Sequence, residues 1–139
     1  MKVFIRQINP KKQEDSLLLL GESEDNLAIL MESGYYGKKR ALSPMQLLLL
    51  SLGGCTGMDV ISILNKMKTP PEEFTMEIEG ECAAEHPKVY TKIKIRYRFR
   101  GVPRDKAEKA VKLSMEKYCS VSAMLRKGGV EIIPEIVVE

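Results

Sequence analysis

Residues 74–84 and 89–99 alternate apolar and polar side chains with a period of two, twice in succession. In the first segment Phe74, Met76, Ile78, Cys82 and Ala84 share one face, and Thr75, Glu77, Glu79 and Glu81 share the other. In the second, Val89, Thr91, Ile93, Ile95, Tyr97 and Phe99 stand opposite Lys92, Lys94, Arg96 and Arg98. Successive side chains of a strand point to opposite faces, so each segment reads as a half-buried strand. The polar faces carry opposite charges, which stabilise each other when the strands pair. Glu85-His86-Pro87-Lys88 makes the connection, and His86 reads as a solvated loop residue. The sequence therefore predicts a long antiparallel hairpin with an outer Glu/Lys/Arg ladder and an inner face that other elements must cover.

The flanking segments supply those elements. Apolar stretches at 3–8, 17–21 and 27–32, separated by polar turns, predict three short strands. Gly34-Tyr35-Tyr36-Gly37-Lys38-Lys39-Arg40 reads as a basic loop. Ser43 is placed to cap a helix with Pro44 in its first turn. Residues 45–52 are apolar almost all round, which predicts burial on most faces. Gly53-Gly54 reads as an interruption, with a second helix running from Cys55 to about residue 68 and stopped by Pro70-Pro71. A further helix is expected from Pro103 and Asp105 to about Tyr118, with Ala107, Ala110, Val111, Ser114, Met115 and Tyr118 facing inward. A short helix over 120–127 follows, closed by Gly128-Gly129. The last segment alternates like a strand, and Pro134 puts it at a sheet edge. Strands, helices, a hairpin, helices and a strand make a single α+β domain over 1–139, with antiparallel sheets packed around central helices.

Charge and composition exclude several functions. The net charge is +3, with acidic and basic residues interspersed. A nucleic-acid surface needs a clustered basic patch, which is missing. Charges break the first residues before any leader-like apolar region forms, and the longest apolar run falls well short of a membrane span. A cytoplasmic chain with no nucleic-acid or membrane partner is the expectation. Three cysteines do not suggest a disulfide framework, and with one histidine they lack the paired spacing of a zinc site, so neither a metal nor a cofactor is expected.

The chemistry that remains is thiol chemistry. Cys55 and Cys119 each fall where a helix is expected to begin, and a helix N-terminus favours an anion such as a thiolate. Glycines at 53, 54 and 57 leave room around Cys55, and Asp59, four residues on, shares its helix edge. Cys82 reads as core, beside Met76 and Ile78.

The segment Ser43-Pro44-Met45-Gln46 through Gly53-Gly54-Cys55-Thr56-Gly57-Met58-Asp59-Val60 resembles the first-cysteine segment of the OsmC/Ohr family, the osmotically inducible and organic hydroperoxide resistance proteins. Lys117-Tyr118-Cys119-Ser120-Val121-Ser122 is similar to the second-cysteine segment, and residues 85–93 to the broader OsmC-like branch. The resemblance covers essentially the whole chain. It implies an intertwined homodimer with active sites at the interface, reducing organic hydroperoxides with thiols as an antioxidant defence. Cys55 is then the peroxidatic thiol and Cys119 the resolving one, and a dithiol reductant such as a lipoylated protein restores both. Met45 stands where hydroperoxide-resistance members carry a glutamate, with neutral Gln46 beside it. Arg40, in the loop before Ser43, is the candidate for their activating arginine. With Asp59 these form the candidate substrate-binding set.

The alternative is a non-catalytic dimer that holds a small hydrophobic or thiol metabolite at Cys55, which the neutral Met45 favours. A weaker third reading is a structural module whose dimer serves assembly.

Overall fold

A computed structural model describes all 139 residues of the chain. They form two compact units, Met1–Leu48 and Leu49–Glu139. In the first, β1 (Val3–Gln7), β2 (Leu18–Ser23) and β3 (Ala28–Glu32) make an antiparallel meander in the order β1-β2-β3. The three strands expected from the sequence are these. Every residue of β1 is exposed, and Leu27, Ile29 and Leu30 are exposed as well, so much of this sheet's apolar surface is uncovered within the unit. Glu32 is only 3 % exposed, with Arg40 folded back on it.

In the second unit β4 (Glu73–Cys82) pairs antiparallel with β5 (Tyr90–Arg100). The predicted charge ladder is in register: Glu77 faces Arg96, Glu79 faces Lys94 and Glu81 faces Lys92. Alternation holds inward from Ile93 to Phe99, where four fully or almost fully buried side chains sit on one face. It slips at the far end. The register passes from Glu81–Lys92 to Cys82–Tyr90, leaving Thr91 as an extra residue whose hydroxyl donates to the Glu81 carbonyl. A bulge of this kind reverses the in-out phase beyond it. Tyr90 turns in, while Val89, Thr91 and Cys82 are exposed, so Cys82 is not a core residue.

The last strand, β6 (Glu131–Val138), lies at the edge that Pro134 predicts, in the order β4-β5-β6. It runs parallel to β5, so this sheet is mixed, not antiparallel throughout. The reason is the crossover: α2 (Arg104–Leu113) and α3 (Ser120–Lys127) carry the chain back between the two strands. The helical path after α2 continues to Tyr118 through one π-helical turn, Ser114–Tyr118. Ser114 and Met115 are buried as expected, but the wide turn rotates Tyr118 into solvent.

The main departure is α1. It is one uninterrupted helix, Pro44–Lys66, and Gly53-Gly54 does not break it. The glycines are there for contact with the sheet. A Cβ at Gly53 would lie 2.2 Å from the Ile78 Cδ1, and one at Gly57 would lie 3.0 Å from the Met76 sulfur. Four residues apart, both lie on the helix face that touches β4. The start of α1 is as expected, and Ser43 and Gln46 form a reciprocal cap: Gln46 N donates to Ser43 Oγ at 3.2 Å and Ser43 N to Gln46 Oε1 at 3.0 Å. Joining the two predicted pieces makes α1 long and apolar enough, by length and composition alone, to cross a membrane, which the broken pattern concealed. Leu52, Val60 and Leu64 are fully buried, yet Leu50 and Met58 are 54 % and 74 % exposed. The apolar helix is therefore less buried than its composition predicts.

Candidate active site

Cys55 is the twelfth of the 23 residues of α1, so it does not stand at the start of its own helix and the expected activation by that helix's N-terminus is absent. Cys119 does hold such a position. It is the N-cap of α3, where its sulfur accepts from Ser122 N–H at 3.4 Å and its carbonyl from Ser122 Oγ at 3.0 Å. The π-helical turn delivers it there: Cys119 N–H reaches back five residues to the Ser114 carbonyl at 2.8 Å. Arg126 closes the turn from outside, donating to the Met115 carbonyl at 2.9 Å. Turns of this type recur at functional sites.

The result is a meeting of residues 64 apart in sequence. The Cys55 sulfur, the Cys119 sulfur and an Asp59 carboxylate oxygen all lie within 4.8 Å of one another. All three cysteines are free thiols. Cys55 is half-buried and Cys119 is only 3 % exposed. Burial pushes the Cys119 thiol above its ordinary range, the Ser122 hydrogen bonds oppose that, and the neighbouring Cys55 adds to it.

Asp59 is held by a buried hydroxyl chain. Ser114 Oγ donates to Asp59 Oδ2 at 3.0 Å, and Thr56 Oγ1 lies 2.8 Å from both Ser114 Oγ and the Tyr97 hydroxyl. Each hydroxyl has one proton, so the bond to the carboxylate fixes the direction: Tyr97 donates to Thr56, Thr56 to Ser114 and Ser114 to Asp59. Thr56, Ser114 and Tyr97 are absent from the site expected from sequence. Their signal was polar side chains at inward positions of otherwise apolar faces, which need partners when buried.

Burial pushes the Tyr97 phenol up to about 12, against about 10 for a free tyrosine. A group whose folded-state pKa is raised gives stability that is full below the unfolded pKa and lost as pH rises through the folded one. Chemical unfolding followed between about pH 9 and about pH 12 should therefore show a steeper loss for the native chain than for Tyr97→Phe.

Beside Asp59 opens a cleft of about 470 Å³, lined by Ile63, Met67 and Leu113 with Lys66 and Lys109. On another side of α1, Leu50, Gly54 and Met58 border a shallow apolar groove of about 370 Å³ along β4.

The rest of the expected set lies in the first unit. Arg40 is committed to acidic partners there: its Nη2 is 2.6 Å from Glu32 Oε1 and 2.9 Å from Asp15 Oδ1, and its backbone N–H donates to Glu32 at 2.8 Å. Those contacts raise the guanidinium pKa and hold the Glu32 carboxyl below its usual range. Gln46 Oε1 accepts from the helix cap and from Lys39. Met45 follows Pro44 in the first turn of α1.

Comparison with known proteins agrees with this architecture. The family described as OsmC-like protein matches residues 37–135. The chain belongs to the OsmC-like family. Protein YhfA of Escherichia coli (strain K12) is 39 % identical over 118 residues, 84 % of this chain and 87 % of that one. A hypothetical protein from Aquifex aeolicus VF5 superposes with a TM-score of 0.83 at 31 % identity, covering 99 % of this chain and 95 % of the other. An organic hydroperoxide resistance protein OsmC from Legionella pneumophila, also described as a predicted redox protein, shares the fold with a TM-score of 0.72 at 19 % identity, over 99 % and 98 % of the two chains. The α+β architecture is that of this family.

Proposed function

We propose that this protein is a thiol-dependent hydroperoxide reductase. The observation that carries the reading is the free Cys55–Cys119 pair, with its sulfurs within 4.8 Å. Cys55 attacks the terminal peroxide oxygen as thiolate. The O–O bond breaks, the alcohol leaves with a proton, and Cys55 becomes sulfenic acid. The Cys119 sulfur then displaces water from that sulfenic acid to form the Cys55–Cys119 disulfide, and a dithiol such as a lipoyl protein reduces it by exchange. The greater exposure of Cys55 supports its role as the attacking thiol. The apolar wall of Ile63, Met67 and Leu113 suits an organic substrate. Assigning Arg40, Met45 and Gln46 to substrate binding rests on the resemblance.

The working form is a cytoplasmic homodimer. The exposed apolar residues of β1 and β3 and the exposed Leu50 and Met58 of α1 support the dimer, since exposed apolar patches mark contact surfaces.

Reduced protein mixed with cumene hydroperoxide should consume about one equivalent and lose two free thiols, read by thiol titration and by peptide mapping of a Cys55–Cys119 link. Thiols that survive a peroxide excess would end the peroxidase reading. They would select the alternative, a non-catalytic dimer binding a small hydrophobic or thiol metabolite, which the position of Cys55 in the middle of its own helix favours.

A further inference from the structure

We propose that the reduced Cys55–Asp59–Cys119 cluster is a binding site for a zinc-type divalent cation, with two thiolate sulfurs and one carboxylate oxygen as ligands and a fourth position open to solvent. The inference goes beyond the peroxidase reading and does not depend on it.

The donor set is the first argument. Two sulfurs and an oxygen lie within 4.8 Å of one another. Tetrahedral zinc, with bonds of about 2.3 Å to sulfur and about 2.0–2.2 Å to oxygen, places its ligand atoms roughly 3.5–3.8 Å apart. Closing the remaining gap takes side-chain rotation of the order of 1 Å. Thiolates select zinc over magnesium or calcium, which prefer all-oxygen sites. Cys55 and Asp59 come from one face of α1, four residues apart, and Cys119 comes from the start of α3, so two helices clamp the cation.

The second argument is orientation. Good metal sites fix their ligands through outer-shell hydrogen bonds. Asp59 has that support: Ser114 holds one carboxylate oxygen, and Thr56 and Tyr97 hold Ser114 from the core. The third is charge. Three groups that ionise to anions share a partly buried spot, where Asp59 accepts a hydrogen bond from Ser114 and the cations Lys66 and Lys109 line the cleft beside it. A divalent cation offsets the mutual repulsion of two thiolates and a carboxylate. The binding step is balanced without redox change: two thiol protons leave to solvent as two metal–sulfur bonds form. A Cys55–Cys119 disulfide removes both sulfur ligands, so the cation belongs to the reduced state alone.

The test uses cobalt(II) as the probe, titrated anaerobically into reduced, chelator-treated full-length protein. The expected result is one equivalent bound, with a thiolate-to-cobalt charge-transfer band and the intense visible bands of a tetrahedral site, all abolished by zinc(II). Asp59→Asn should weaken cobalt binding by roughly ten- to a hundredfold while leaving the far-ultraviolet circular dichroism unchanged. Cys119→Ser should lose the two-thiolate spectrum. A native protein that gives only a weak octahedral cobalt spectrum overturns the proposal, as does an Asp59→Asn protein that binds cobalt as tightly as the native one. A tetrahedral cobalt site in a protein that leaves hydroperoxides intact sustains this proposal and removes the peroxidase reading instead.

Discussion

Cys55→Ser is expected to reduce hydroperoxide consumption to the uncatalysed background, a loss of roughly a thousandfold or more, the scale on which removal of a covalent nucleophile acts. Cys119→Ser is expected to behave differently, reacting once and then stopping. The asymmetry follows from where the two sulfurs sit. Cys119 is only 3 % exposed and its thiol is pushed upward by burial, so it is a poor substitute for Cys55 as attacker. Without Cys119, the sulfenic acid formed on Cys55 has no thiol within reach. It should persist long enough to be trapped by dimedone, and excess peroxide should carry it on to sulfinic acid. The Cys119→Ser chain should still fold, because position 119 caps α3 and serine is a preferred capping residue. Cys82 is exposed beyond the Thr91 bulge, and Cys82→Ser should leave both the burst and the turnover unchanged. Full turnover in Cys55→Ser would place the attack on another sulfur and end the assignment.

What the sequence revealed depended on whether the signal was local. The β4–β5 ladder was legible residue by residue, because period-two alternation and opposite charge specify both the faces and the register. The caps of α1 and α3 and the edge position of β6 were legible for the same reason: Ser43-Pro44, Gly128-Gly129 and Pro134 act within a few residues of themselves. The break assigned to Gly53-Gly54 failed because glycine marks both the end of a helix and a place where another backbone or side chain comes close. Only Ile78, across the sheet contact, distinguishes the two. The bulge at Thr91 inverted the burial of Cys82 and Tyr90, and nothing in the alternation announces one extra residue. The candidate site was the least legible part. Cys55 and Cys119 could be named, but their approach depends on a π-helical turn and on the hydroxyl chain from Tyr97, and both are products of tertiary packing.

The α1–β4 contact gives the largest expected change in stability. Gly53→Val should destabilise the protein by about 3 kcal/mol, the upper range for forcing extra carbon into a packed contact, and lower its melting temperature by roughly 10 °C. Even a single Cβ would come within 2.2 Å of Ile78 Cδ1, so α1 must lift or Ile78 must leave its rotamer. Ile78→Ala removes the obstructing atoms. Alone it should cost about 2 kcal/mol for the cavity it leaves. Combined with Gly53→Val the two should be far from additive, because the valine fills what the alanine vacates. Additive losses would show that the helix does not rest on Ile78. Gly54 supplies the control one residue away. A Cβ there meets nothing within 4 Å, so Gly54→Ala should stabilise the chain by about 0.5–1 kcal/mol through helix propensity alone. Adjacent glycines in one helix are thus expected to respond with opposite signs, because one faces a strand and the other open space.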